Sequence, residues 1–311
     1  MNKMSLGYIS HVTKSILLFL RTISIAHVPK KEVFFVIGVD TEQDVDEKYV
    51  HTGGYRNITE GISRLLDIFD DFKAKPTWFV TPDVAQHYGN FFSELAMKHE
   101  VGCHVHPEYF DCSINGMRME KILPQFSYEK QLIMLQDASD IISRNIGVYP
   151  RSFRAGRFAV NMDTLRALES CGFNVDCSMT PFVDWRFRAA TLSSSKIFPY
   201  FIRIGSRDIL EIPLTIVCPF GLFPAWLRPS FLSGSDMINV IKIRARSRED
   251  PLVLNMMFHS MELIDPNPYF ASKQFFKNMR CVLEYAYEHN VSFISMNDLY
   301  HRLRPSISSE N

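Results

Sequence analysis

Two histidines stand two residues apart in EVGCHVH at 100–106, and two acids stand two residues apart in VDTE at 39–42. Side chains two apart on an extended strand point to the same face. His104 and His106 can therefore offer two imidazoles to one divalent ion, and a catalytic zinc site usually takes three protein ligands plus water. Asp40 and Glu42 share a face in the same way if their strand runs that far. One can then ligate the ion while the other accepts a proton from the activated water. Asp44, Asp46 and Glu47 follow them and read as a solvated acidic loop. In FRAGRFA at 153–159, Arg154 and Arg157 offer planar forks that can orient a carboxylate or hold an anionic substrate group. Asp176 is placed to pair with Arg154. His259, in MMFHS, ends an apolar run and reads either as a general acid or as a satisfied core histidine.

These residues need a scaffold that gathers them. Val33 to Val39 is unbroken, apolar and β-branched, the pattern of a strand covered on both faces, and Asp40 follows it directly. Residues 57–73 have helical spacing, with Asn57 as the cap and Glu60 three residues later. Further strands are expected at 77–81, 100–106, 152–154, 173–177, 209–213, 252–258 and 291–295. Helices are expected at 83–99, 128–145, 161–171, 236–246 and 272–290. Alternating strands and helices argue for a parallel α/β sheet. The candidate residues all fall at the C-terminal ends of strands, the edge where barrels and open α/β sheets build their sites. The chain reads as an N-terminal helical extension (1–32), one catalytic domain (33–304) with a loop-rich insertion at 181–234, and a disordered tail (305–311).

Lys plus Arg equals Asp plus Glu, at 34 each, so no long-range basic field exists to gather nucleic acid. Six cysteines without a CxxC pair signal neither a zinc ribbon nor a thioredoxin motif and are expected as reduced thiols, in a cytoplasmic protein. The apolar run Ile16 to Leu20 is far shorter than the roughly 20 residues of a membrane span. It reads as a helix packed on the domain, with weak peripheral contact to a membrane surface as the alternative. Oligomeric state is not legible.

In this order, the motifs resemble those of the NodB-homology polysaccharide deacetylases, carbohydrate esterase family 4, over about residues 33–300. The resemblance implies a distorted (β/α) barrel of about seven parallel strands. VDTE is similar to the first motif, which makes Asp40 the base and Glu42 a metal ligand. GCHVHPE (102–108) is similar to the second, which supplies two histidine ligands. Here the histidine spacing is two rather than the commoner four, so the third ligand is His106 or Glu108. FRAGRFA resembles the third motif, whose arginine orients the base (Arg154), leaving Arg157 to substrate. DCS (176–178) resembles the fourth. MMFHS resembles the fifth, whose His259 is the general acid. HVHPE with FRAGRF is particularly similar to the WalW-like branch of surface-polysaccharide gene clusters. The implied activity is metal-dependent removal of an N-acetyl or other acyl group from a sugar, with zinc, or cobalt, nickel or manganese, as the ion. Two alternatives stay open. One is hydrolysis of a small non-peptide amide. The other is a non-catalytic carbohydrate-binding role using Trp185, Trp226, Phe220 and Phe223.

Overall fold

The computed structural model describes residues 31–46, 50–111, 121–184, 191–218, 224–265 and 272–304. Its central strand β1 (Val33–Thr41) is buried from Phe34 to its end, which is why its sequence carries no polar alternation until Asp40. It lies parallel between β10 (Leu252–His259) and β2 (Pro76–Val80), and β10 aligns His259 with Asp40. The sheet continues through β3 (Glu100–Val105), β4 (Ser152–Ala155), β5 (Val175–Asp176) and β7 (Arg207–Glu211), all parallel. Strand β6 (Tyr200–Ile204) adds antiparallel to β7, and β11 (Ser292–Phe293) pairs with the start of β1. Strands β8 (Ile216–Val217) and β9 (Ala225–Trp226) form a separate ribbon.

The result is a mixed α/β fold around a mostly parallel, curled sheet. Seven parallel strands follow one another in the order β10-β1-β2-β3-β4-β5-β7. Strand β7 lies inside the segment 181–234, so part of what reads as an insertion is barrel wall. The strand expected at 209–213 is that wall strand, set in a segment rich in Phe, Pro and Arg. Asn255 of β10 draws in the chain that leaves β7. Its side-chain amide donates to the Ile212 carbonyl at 2.8 Å, its backbone N–H to Thr215 Oγ at 2.8 Å, and its carbonyl accepts from Thr215 N at 2.9 Å.

Helices α1 (Ser63–Phe72), α2 (Pro82–Leu95), α3 (Tyr128–Ile146), α4 (Met162–Ser170) and α6 (Ser272–Glu288) pack apolar faces on the sheet, and α5 (Gly234–Ala245) packs on α6. Trp78, Phe69, Phe92, Phe153 and Phe173 fill that interface. A second apolar cluster joins Phe34, Val36, Phe79 and Val253 to Met296, Leu299 and Tyr300 of α7 (Met296–Leu303). No described helix is long and apolar enough to cross a membrane. The run Ile16 to Leu20 lies outside the described residues.

The start of the first helical segment differs from the expected capping box. A π-helical turn, Asn57–Ile62, precedes α1. Asp44, expected in a solvated loop, is buried there, and its carboxylate accepts from Arg56 N (2.8 Å) and Asn57 N (3.0 Å). Asp44 is thus the cap that satisfies two helix-start donors. Asn57 is freed to donate its side-chain amide to the Glu42 carbonyl at 2.9 Å.

Replacing Asn255 by Leu would leave the Ile212 carbonyl without its donor. Such a loss costs about 1–3 kcal/mol. The variant should unfold at lower urea concentration than the native chain; an unchanged midpoint would show that Asn255 does not hold the seam.

Candidate metal centre

Strand β3 carries His104 inward, and His106 follows on the same side just past its end. Together with Glu42 beyond β1 they bring one donor atom each within 4.8 Å of one another, all three buried. His104 Nε2 and His106 Nε2 are 3.2 Å apart, and each lies 3.4 Å from an oxygen of Glu42. A tetrahedral ion with bonds of about 2.0–2.1 Å spaces its ligand atoms roughly 3.3–3.4 Å apart, close to these spacings, with Oε1 of Glu42 beside His104 and Oε2 beside His106. The tautomer of His104 fits as well. Its Nδ1 lies 2.8 Å from the Arg154 carbonyl, which can only accept, so Nδ1 carries a proton and Nε2 is the ring atom that faces the cluster. Two imidazoles and a carboxylate are the donor set of a divalent transition ion rather than of magnesium or calcium. Burial alone would raise the Glu42 carboxyl, but the imidazoles of His106 and His104 outweigh it and hold the group well below the usual carboxylate range.

Glu108 is not part of this cluster. It lies beyond His106 in a short helical turn, where its carboxylate accepts from Lys121 N at 2.5 Å and faces Arg157 at 3.6 Å. Of the two third ligands open in the sequence, His106 is the one brought to Glu42 and His104. Arg157 also donates to the Lys121 carbonyl at 2.5 Å and approaches His106 Nδ1 at 3.4 Å. Its guanidinium therefore braces the edge of the centre. It does so from a left-handed backbone, φ 56°, shared by Phe158 at 57°. Such conformations cost about 1–3 kcal/mol each and gather at functional sites. Gly156 lies against the same His106 imidazole, where any Cβ would meet Nδ1 at 2.6 Å.

Asp40 stands beside the cluster. Its Oδ1 accepts from Arg154 Nη1 at 2.6 Å, and its Oδ2 is 3.8 Å from His259 Nε2. Arg154 is fully buried. Its guanidinium stacks on the Phe79 ring at 4.4 Å, and its Nε donates to the Cys177 carbonyl at 3.2 Å. The other face rests on Gly38 of β1, where a Cβ would come within 2.3 Å of Nη2.

The sequence reading missed the setting of His259. Its Nδ1 lies 3.1 Å from Glu262 Oε1 and 3.0 Å from Arg228 Nη2. Arg228 also donates to Glu262 at 2.5 Å, Ser230 hydroxyl donates to Glu262, and His259 N donates to the same carboxylate at 2.8 Å. Burial pushes the Glu262 carboxyl up, but Arg228 and His259 prevail and bring it to about 2. Glu262 is three residues after His259 and was visible as a neighbour. Arg228 lies 31 residues upstream, with no periodicity to mark it.

Asp176 does not pair with Arg154. Strand register aligns Asp176 with Phe153, one position off Arg154, so the two side chains leave opposite faces of the sheet. Arg154 takes Asp40 as its carboxylate instead, while Asp176 accepts from Ser178 Oγ at 2.5 Å. Trp226 is at the mouth, its ring 5.6 Å from that of Phe158. Trp185, Phe220 and Phe223 lie outside the described residues.

The polysaccharide deacetylase family model matches residues 46–175 of this chain. Over that stretch the chain is similar to the polysaccharide deacetylases. The matched stretch includes His104, His106 and Arg154 but neither the Asp40/Glu42 pair nor His259. No curated protein matches the chain. Among solved structures, a Mycobacterium smegmatis protein assigned as a polysaccharide deacetylase superposes with a TM-score of 0.59 at 16% identity, over 91% of this chain and 94% of that one. PuuE allantoinase superposes at 0.58 and 19%, over 92% and 96%. The Bc1960 peptidoglycan N-acetylglucosamine deacetylase superposes at 0.51 and 11%, over 88% and 90%. At these identities the likeness is one of fold.

Gly38→Ala forces a methyl group into the Arg154 guanidinium. Overpacking of this kind costs about 1–3 kcal/mol. Thermal unfolding should show that loss, and a variant as stable as the native chain would mean that Arg154 is free to move aside.

Proposed function

We propose that the chain is a metal-dependent hydrolase that removes an N-acetyl or other acyl group from a sugar, with zinc as the first choice of ion and cobalt, nickel or manganese as the others. The observation that supports it most is the juxtaposition at one strand edge. Glu42, His104 and His106 form a ready ligand set, and Asp40 and His259, held by separate partners, stand beside it with 3.8 Å between their side chains. The sugar is one of a surface polysaccharide or its precursor, the reading that the HVHPE and FRAGRF motifs favour.

An ion held by Glu42, His104 and His106 would polarise the amide carbonyl and lower the pKa of the attacking water. Asp40 takes the water's proton. The Arg154 N–H on Oδ1 fixes the carboxylate plane and leaves Oδ2 to face the reaction. His259 gives a proton from Nε2 to the leaving amine, a general-acid role. Glu262 and Arg228 both lie against Nδ1 and hold the ring in place. Acetate and a free amino sugar result. Arg157, expected to hold substrate, supports His106 and Glu108 and borders the mouth. The likeness in fold to PuuE allantoinase favours a second reading on the same residues, with a small linear or cyclic amide as substrate.

Metal content by mass spectrometry tests the ligand set. The native chain should hold about one equivalent of a divalent transition ion, by the ordinary stoichiometry of a three-ligand site. His104→Ala/His106→Ala should hold none. Acetate release from N-acetylated glycans is then compared with hydrolysis of small amides. Asp40→Asn and His259→Ala should each lose on the order of 10²–10⁴-fold in rate. Full activity in either variant would remove its assigned role.

A further inference from the structure

The reaction proposed above uses neither Asp176 nor Glu211, yet both are carboxyl groups with 0% exposure. They are register partners on the parallel strands β5 and β7, so their side chains leave the same face of the sheet side by side. One oxygen of each has an ordinary donor. Ser178 hydroxyl donates to Asp176 Oδ1 at 2.5 Å, and Met179 N donates to Glu211 Oε1 at 3.1 Å. The remaining oxygens, Asp176 Oδ2 and Glu211 Oε2, receive no N–H or hydroxyl, and the two carboxyls meet each other instead. Among the described residues neither acid has an ion pair. Two adjacent carboxylates buried without an ion-pair partner cannot both ionise cheaply, and a proton placed between them relieves both the charge and the missing donor.

We propose that Asp176 and Glu211 are an acid pair that holds one proton between them at neutral pH and serves as a positioning anchor for Arg154. The connection is short. Ser178, which donates to Asp176, accepts from the backbone N–H of Ala155 at 3.0 Å, the residue next to Arg154. Cys177, the residue after Asp176, supplies the carbonyl that holds Arg154 Nε. The pair thus fixes the chain that clamps the arginine from the far side of the sheet. The claim that this matters for hydrolysis rests on the function proposed above; the shared proton does not.

Burial raises both groups, Asp176 to about 6 and Glu211 well above the carboxylate range, where the neighbouring Asp176 adds to the rise. The other titratable groups that reach the pair are Tyr200 on β6, the Cys177 thiol and, across the sheet, Arg154. Raised folded-state values mean that the pair favours folding at low pH and loses that contribution as pH rises through them.

The test uses the full chain and needs neither metal nor substrate, so a protein without deacetylase activity leaves it intact. Infrared spectroscopy at neutral pH should show the carbonyl band of a buried protonated acid, lost in Glu211→Gln. That variant keeps the acceptor for Met179 N and donates an N–H to Asp176, so it should fold normally. Its melting midpoint should exceed the native value by several degrees at alkaline pH, because it has no proton to lose. Glu211→Ala should increase hydrogen exchange at Ala155 N–H severalfold, and Glu211→Gln should restore native protection. A native chain without the band, superimposable melting curves across pH, or unchanged exchange in Glu211→Ala would each overturn the proposal.

Discussion

A guanidinium with no exposed surface needs partners on every side, because removing a charge from water costs far more than one hydrogen bond returns. Arg154 has them. Asp40 supplies the counter-charge, the Cys177 carbonyl takes Nε, and the Phe79 ring covers one face. Gly38 leaves the space for the other face. The dependence also runs outward. The Arg154 carbonyl sets the tautomer of His104, and its side chain sets the plane of Asp40. One residue of β4 therefore orients a candidate ligand and the candidate base through opposite ends of its own structure. The rest of the site is arranged around that buried ion pair.

A second, smaller network serves His259. Arg228, Ser230 and the backbone N–H of His259 all converge on the Glu262 carboxylate, which fixes it against the imidazole. The two networks approach the candidate ligand cluster from different strands, β4 and β10, and meet at the gap between Asp40 and His259. This separation gives one carboxylate a cationic neighbour and one imidazole an anionic neighbour.

Left-handed backbone occurs at Lys73, Asn290 and Phe182 and, one residue past β4, at Arg157 and Phe158. The backbone turns sharply there because Gly156 must pass close to His106 while Arg157 reaches back to Glu108 and the Lys121 carbonyl.

Much of this was legible in the residues themselves. A period of two brings His104 to His106 on one face and Asp40 to Glu42 on another, whatever the fold. An unbroken apolar run such as Val33–Val39 requires cover on both faces, which an α/β arrangement supplies. Local pattern therefore determined the parallel sheet, the edge that carries the chemistry and most of the residues there. It could not decide between His106 and Glu108, because that depends on where Arg157 and Lys121 lie after folding. Nor could it see that Asp176 leaves the opposite face from Arg154, since face is a matter of register between strands and a shift of one residue inverts it. Arg228 and Glu211 were invisible for the same reason. Their partners are brought to them by long-range strand pairing and packing, and no short-range spacing encodes a contact that exists only once the sheet has curled.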